Sequence, residues 1–93
     1  MTLGEYLKQQ RVAQRKILKI VARDTEISIG YLHKIETGKQ QRPQIWALEK
    51  LAAYYGIDQD YIISLAGKIP SDVYWKVTRC PALLEIIRQH PEV

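Results

Sequence analysis

The sequence predicts an all-α fold of seven short helices, with five in residues 1–68 and two in residues 69–93. Two observations lead to this fold class. Apolar residues recur at three- and four-residue intervals, which is the spacing of an amphipathic helix, and the chain has no β-hairpin pattern. Glycine or proline stands where several of the helical stretches stop, for example at Gly38, Gly56 and Pro70.

The first three helices follow from this spacing and from their end residues. Helix one is expected over residues 3–14 and helix two over residues 17–24. Helix three begins at Ser28, because a serine side chain can accept a hydrogen bond from the unpaired N–H groups of a first helical turn. It ends at Gly38, because glycine adopts the left-handed conformation that often closes a helix. Only a few residues separate helices two and three, so we expect them to cross at a steep angle.

Helices four and five occupy the middle of the chain. The Arg42–Pro43 pair interrupts the helical pattern, since the residue before a proline avoids helical geometry. Helix four follows and ends at Gly56. Asp58 caps helix five, which Gly67 and Pro70 end. These five helices are expected to form one domain.

The C-terminal extension, the segment after residue 68, is expected to hold the last two helices. Ser71 can cap helix six over residues 72–79, and Pro81 suits the first turn of helix seven over residues 81–89, which Pro91 stops. The extension carries more apolar surface than two short helices can bury alone, so it should pack on the body, on a second copy, or on both. The side chains predicted to serve this packing or dimerisation are Tyr74, Trp75, Leu83, Leu84 and Ile87.

The net charge of +4 is concentrated in the N-terminal half of the chain. Residues 1–42 hold nine basic and four acidic residues, a net charge of +5, whereas residues 43–93 hold five basic and six acidic residues, a net charge of −1. A positive field on one half of a small protein favours an anionic partner there. The alternative is that most of these side chains only solvate helix surfaces.

Composition and motifs argue against several classes of protein. The single cysteine, Cys80, excludes an internal disulfide framework and indicates a reducing, cytoplasmic location. No signal peptide is expected, and no apolar stretch is long enough for a membrane span. His33, His90 and Cys80 are too scattered for a zinc site, and no pattern of catalytic residues occurs. We therefore expect no enzymatic activity, no metal, no cofactor and no membrane partner.

Helix three has two chemically different faces. Its apolar residues, led by Leu32 and Ile35, lie on one side. The opposite face carries no acid, and its members follow the i, i+3, i+4, i+7 spacing: Gly30, His33, Lys34 and Thr37. A helix about 10–12 Å wide fits the major groove of B-DNA, with the positive end of its dipole near phosphate. These properties predict a helix that binds double-stranded DNA.

Four stretches of the chain resemble one protein family. They are LGEYLKQQR (3–11), VARDTEIS (21–28), YLHKIETGK (31–39) and LEKLAAYYGI (48–57). They resemble the helix-turn-helix family of phage repressors and Cro proteins, often called XRE. The resemblance extends over about residues 3–66 and implies a five-helix repressor-like DNA-binding domain, followed here by two short C-terminal helices.

With this resemblance, the chain is interpreted as a sequence-specific transcription regulator. Two copies would place their third helices in successive major grooves of a pseudo-palindromic operator, so we expect a homodimer. Repression is the expected output, because a chain of 93 residues leaves little room for an activation or ligand-binding domain. The C-terminal extension could also bind a protein partner.

The resemblance assigns structural and phosphate-binding roles to a few residues. The family's partly buried salt bridge between helix one and helix three falls on Arg11 and Glu36. Ser28 matches the residue whose hydroxyl and amide hold a phosphate. The ring of Tyr31 can pack on the core while its hydroxyl reaches a phosphate.

The resemblance also divides the remaining positions between bases and DNA backbone. The positions that contact base edges are Ile29, Gly30 and Lys34, with His33 beside them. The positions that hold the backbone are Thr37, Lys39 and Arg42. Because Ile29 and Gly30 replace polar residues, part of the recognition is expected to be apolar, with Ile29 against a thymine methyl group.

Three further positions depart from the family's pattern. Ile17 and Leu18 stand at the head of helix two, where the family often has Ser or Thr and then Gln. Glu26 replaces the usual turn glycine, at a cost of roughly 1 kcal/mol if that position needs a positive φ.

Two alternatives to a free-standing repressor stay open. One is an antitoxin-type autoregulator whose tail binds a toxin, and the other is a protein-interaction adaptor that retains the fold.

Overall fold

The computed structural model describes residues 1–40 and 42–89, which form seven helices and no strand. In chain order the helices are α1 (Leu3–Ala13), α2 (Leu18–Thr25), α3 (Ile29–Thr37), α4 (Ile45–Tyr55), α5 (Gln59–Leu65), α6 (Ser71–Arg79) and α7 (Pro81–Gln89). The all-α fold predicted from the sequence is confirmed over these residues. None of these helices is both long enough and apolar enough to cross a membrane.

The hydrophobic core is built from α1 to α5. Each of these helices contributes at least one side chain that is no more than 3% exposed, in chain order Leu7, Val21, Leu32, Leu48 and Ile62. Burial of one such side chain contributes roughly 1.5–3 kcal/mol to folding. α3 is therefore anchored by one face, which leaves its opposite face in solvent.

The helix ends follow the chemistry of their end residues. Ser28 precedes α3, and its Oγ accepts a hydrogen bond from the backbone N–H of Tyr31 at 3.1 Å. Gly38 closes α3 with a φ of 80°, and Gly56 closes α4 with a φ of 69°. The side chain of Asp58 caps α5. These ends agree with the sequence prediction, since each depends on local chemistry alone.

The start of α6 differs from the prediction. α6 begins at Ser71, and Pro70 occupies the N-cap position with φ of −53° and ψ of 143°. The predicted cap role of Ser71 is therefore wrong by one residue. Proline is accepted there because its fixed φ suits an extended N-cap and its missing N–H removes no bond of the helix. The predicted stop at Pro91 lies outside the described residues.

α3 is held closely against α1. A Cβ atom at Gly4 of α1 would lie 2.5 Å from the carbonyl oxygens of both Ile35 and Glu36. This distance is well inside van der Waals contact, so the backbones can approach this closely only with glycine at this position. α2 packs on α3 as well. These contacts fix the direction in which the exposed face of α3 points.

α6 and α7 pack mainly on each other. Every side chain of α7 is exposed, and among the described side chains of α6 only Val77 is partly buried. The molecule is accordingly elongated, measuring 46 × 23 × 23 Å. The body closes its own core, with Ile63 of α5 fully buried, and does not bury the apolar side chains of the extension.

Candidate nucleic-acid interface

The predicted recognition residues lie on α3 or in the turns on either side of it. Leu32 and Ile35 point into the core with 3% and 2% exposure, whereas Ile29 on the other side is 51% exposed. The other predicted recognition residues that are exposed are Ser28, Gly30, His33, Lys34, Thr37, Lys39 and Arg42. Tyr31 of the same helix is partly buried. We call this set the α3 surface. Arg42 lines a surface pocket together with Ala66, Gly67 and Lys68, which follow α5.

The turn that leads into α3 is braced by side chains from α2 and α4. The hydroxyl of Thr25 donates to the carbonyl oxygen of Val21 at 2.7 Å and accepts from the N–H of Ile27 at 3.4 Å. The ammonium of Lys50 donates to the carbonyl oxygen of Thr25 at 3.1 Å. Glu26 adopts the left-handed conformation, with φ of 60° and ψ of 25°. This position therefore has the positive φ that disfavours a residue with a Cβ atom, and Glu26 costs free energy here relative to glycine.

An ion pair fastens the C-terminal half of α3 to α1. Arg11 donates from Nε to Glu36 Oε2 at 2.8 Å and from Nη2 to Oε1 at 3.0 Å, so the pair is bidentate. Its third bond runs from Nη1 to the carbonyl oxygen of Lys16 at 2.9 Å. The hydrogen bond to Glu36 raises the pKa of the Arg11 guanidinium. Arg11 thus joins α1, the turn after it and α3.

Two hydroxyl groups at the start of α3 are oriented so that each can still donate a hydrogen bond. Ser28 Oγ accepts the N–H of Tyr31, and the Tyr31 hydroxyl accepts the N–H of Gln44 at 2.8 Å. A hydroxyl has one hydrogen and two lone pairs, so accepting a bond leaves its hydrogen available. Phosphate oxygens accept hydrogen bonds, and the helix N-terminus favours an anion nearby. Both side chains are therefore suited to a DNA phosphate.

Thr37 differs from these two residues. Its hydroxyl donates to the carbonyl oxygen of His33 at 2.8 Å, so its single hydrogen is already in use. A phosphate contact through this hydroxyl requires the bond to His33 to break. Lys39 and Arg42 carry exposed charges just beyond it and need no such change.

Several basic residues of the N-terminal half are engaged within the protein. Arg11 is paired as described, and Lys16 donates to the hydroxyl of Tyr54 at 2.8 Å and lies 4.2 Å from that ring's centroid. The Tyr54 hydroxyl donates to Asp24 Oδ2 at 2.6 Å, and this bond, together with that from Arg23, lowers the pKa of Asp24. The positive charge available at the α3 surface is therefore smaller than the sequence total.

The sequence did not reveal the position of Trp46. Its indole is 50% exposed and stacks against the ring of Tyr31, with centroids 6.4 Å apart and an interplanar angle of 16°. Lys50 lies 5.7 Å from the same ring. The only signal in the sequence was its position just after the Arg42–Pro43 break. Trp46 thus extends the α3 surface with an aromatic edge.

The comparisons with known proteins agree with this geometry. Residues 2–62 match a family model described as a helix-turn-helix domain. The matched range covers more than half of the chain, contains α2, the turn and α3, and leaves out α6 and α7. Neither a curated protein nor a solved structure matches the chain.

Proposed function

The chain belongs to the helix-turn-helix domain family, and we propose that it is a sequence-specific regulator of transcription that binds double-stranded DNA through the α3 surface. Its type is that of the Cro and phage-repressor proteins. Two copies bind a pseudo-palindromic operator in the cytoplasm and repress transcription by excluding the polymerase. Like other members of such DNA-binding families, it acts without catalysis.

One observation carries this proposal. α3 presents an exposed face without an acidic residue, and the exposed charges of Lys34, Lys39 and Arg42 lie along it and just after it. The opposite face is locked into the core and bound to α1 by Glu36. Major-groove recognition requires a positively charged helix face that is held in place and points away from the protein body.

Within this proposal, the centre of α3 contacts the bases. Lys34 can donate to the acceptor groups of guanine, and exposed Ile29 can pack on a thymine methyl group. A Cβ atom at Gly30 would meet no heavy atom within 4 Å, so packing does not explain the glycine. Its lack of a side chain allows the helix backbone to come close to the groove floor.

The ends of α3 position the protein on the DNA backbone. Ser28 and Tyr31 donate hydroxyl hydrogens to phosphates at the N-terminal end. Lys39 and Arg42 supply charge after the C-terminal end, and Arg42 is close enough in sequence to reach a neighbouring minor groove. Such contacts fix the register of the helix but distinguish sequences weakly.

A second candidate function rests on the extension. The exposed apolar side chains of α6 and α7 suit a protein ligand, as in an antitoxin that represses its own operon. An adaptor without DNA binding has one observation in its favour, because the N-cap of α2 is Ile17 and makes no side-chain cap bond. An adaptor without DNA binding would not need the acid-free face of α3, so we favour the DNA-binding regulator.

The salt dependence of DNA binding tests this proposal. Affinity for a random-sequence duplex is measured by fluorescence anisotropy over a range of salt concentrations. The logarithm of the binding constant should fall steeply with the logarithm of salt concentration, by about 0.9 for each phosphate neutralised. Arg42→Ala should reduce this slope by about one phosphate's share.

Lys76→Ala is the matched control, because Lys76 is an exposed base on α6 that lies outside the α3 surface. It loses the same charge and should leave the slope unchanged. An Arg42→Ala slope equal to the wild-type slope would contradict the assigned role of Arg42. Absence of salt-sensitive binding by the wild-type chain would contradict the function itself.

A further inference from the structure

The apolar residues of α7 cover too wide an arc to be buried by α6 alone. At about 100° per residue, Leu83, Leu84, Ile86 and Ile87 span roughly 160° of the helix circumference. A surface helix typically needs an apolar stripe of about 100°. Leu83, Leu84 and Ile87, at 36–39% exposure, are more buried than Ile86 at 62%. At least one further surface is therefore needed to cover α7.

The exposed apolar area matches that of a protein interface. We define the C-terminal apolar face as Val73, Tyr74, Leu83, Leu84, Ile86 and Ile87, which are 36–62% exposed. Together these side chains expose on the order of 500–600 Å², at the upper limit of the largest apolar patch on a typical monomer. A stable interface buries about 800 Å² on each partner, and roughly 65% of a homodimer interface is apolar, so the exposed apolar area of this face is of the size that a dimer needs.

We propose that a second copy of this chain covers the C-terminal apolar face, so that α6 and α7 of two chains form a four-helix dimer core. Packing two amphipathic helix pairs in this way buries the apolar arcs of all four helices. The proposal rests on the proposed function for its purpose, since two α3 helices on one pseudo-palindrome require a linked pair of chains. It extends that function by assigning the linkage to a module separate from the DNA-binding body.

The charges of the extension favour self-association. α6 and α7 carry three bases, Lys76, Arg79 and Arg88, and two acids, Asp72 and Glu85, so their net charge is only +1. Glu85 and Arg88 already pair with each other at 2.7 Å. None of these charges falls within the apolar arc. Two copies can therefore meet without burying a charge, and no strongly acidic or basic partner is required.

The separation of this face from the body supports a dedicated dimer module. The buried core and the apolar side chains packed against it come from α1–α5 and the turns between and after them, and none of them belongs to α6 or α7. A substitution on the face should therefore change association and leave the DNA-binding body folded. This independence makes the proposal testable in the full-length chain.

The test is sedimentation equilibrium of the full-length chain without DNA, from about 1 to 100 μM, in reducing buffer so that exposed Cys80 forms no disulfide. The wild-type chain should be a dimer at the upper concentrations. Ile87→Asp should raise the dissociation constant by about 30-fold or more, the loss typical of an interface hot spot. Ile87→Ala, which retains the helix, should raise it in the same direction by a smaller factor.

Gln89→Asp is the matched control, because it adds the same charge to the polar side of the same helix. It should leave the dissociation constant within about threefold. A wild-type chain that stays monomeric at 100 μM would overturn the proposal and indicate that a different protein covers the face. An Ile87→Asp dimer as tight as wild type would place the interface elsewhere.

The two proposals fail in different ways. A wild-type dimer that selects no DNA sequence leaves the dimer module standing and contradicts the function. Selection of a single half-site by monomeric Ile87→Asp supports the function independently of dimerisation. Helicity and the midpoint of thermal unfolding, measured for each variant, confirm that the body remains folded.

Discussion

Gly4 and Gly30 are both helical glycines, but their surroundings differ. A Cβ atom at Gly4 would collide with two backbone carbonyl oxygens of α3, whereas one at Gly30 would meet open space. The sequence alone could not separate them, because each is a glycine near the start of a helix. The structure gives Gly4 a packing role and leaves Gly30 for the DNA contact proposed above.

Gly30→Ala should therefore separate stability from binding. Alanine is favoured over glycine in a helix by up to about 1 kcal/mol, so the free energy of unfolding in urea should rise slightly. Affinity for the selected operator should fall, because the added methyl group holds the backbone away from the bases. Gly4→Ala is the opposite case and should lose about 1–3 kcal/mol of stability, the usual cost of overpacking a core. Unchanged operator affinity in Gly30→Ala would contradict the proposed close approach.

The turn residue Glu26 provides a test of backbone strain. Its left-handed conformation costs an L-residue about 1–2 kcal/mol, and part of the gain from glycine is offset by the greater freedom of the unfolded chain. Glu26→Gly should therefore stabilise the protein by about 0.5–1 kcal/mol in urea unfolding. Glu26→Ala keeps a Cβ at the same φ and serves as the control. If both variants unfold at the wild-type midpoint, strain at this turn is negligible.

At the scale of helices, α3 depends on its link to α1 through Arg11 and Glu36. The two side chains are only 14% and 9% exposed, so removal of either leaves the other charge poorly solvated. Arg11→Ala and Glu36→Ala should each lose about 3–5 kcal/mol of unfolding free energy. The double variant with both Arg11→Ala and Glu36→Ala should lose much less than the sum of the two single losses, as a double-mutant cycle would measure. Additive losses would show that the two residues do not interact.

The ends of helices could be predicted from the sequence more readily than the contacts between distant residues. The ends of α3 were predictable because Ser28 and Gly38 act within one turn of the helix. The bond from Lys16 to Tyr54 was not, since it joins residues 38 positions apart and depends on how the turn between α1 and α2 packs on α4. Pro70 displaced Ser71 as the α6 cap because both residues suit a helix start and only tertiary context chooses between them.

At the scale of the whole molecule, Tyr55 links folding to alkaline pH. Tyr55 is 6% exposed, and its burial raises the pKa of its phenol from 10.0 to about 12. The unfolded chain therefore ionises first, so the stabilisation from the neutral phenol is complete below pH 10 and is lost as the pH rises towards 12. The free energy of unfolding should fall across this window. Tyr55→Phe should flatten the fall, and an identical pH profile for both proteins would contradict this assignment.

The helices α1–α5 form a body with a buried core, whereas the large apolar side chains of α6 and α7 named above are exposed. The fold and the exposed face of α3 could be predicted from helical periodicity, because the body buries one face of each helix. The isolation of α6 and α7 could not, since periodicity shows that a helix has an apolar face but not what covers it. Self-association of the chain must therefore be measured to establish what covers the apolar face of α6 and α7.

Selection from a library of randomised duplexes tests whether the α3 surface distinguishes DNA sequences. The bound fraction is sequenced after repeated selection by the wild-type chain at two salt concentrations. We expect an enriched inverted repeat whose half-sites lie about 34 Å apart, with affinity that falls steeply as salt rises. Binding that enriches no sequence and is lost at modest salt would contradict sequence-specific recognition by α3, which would then have only a structural role.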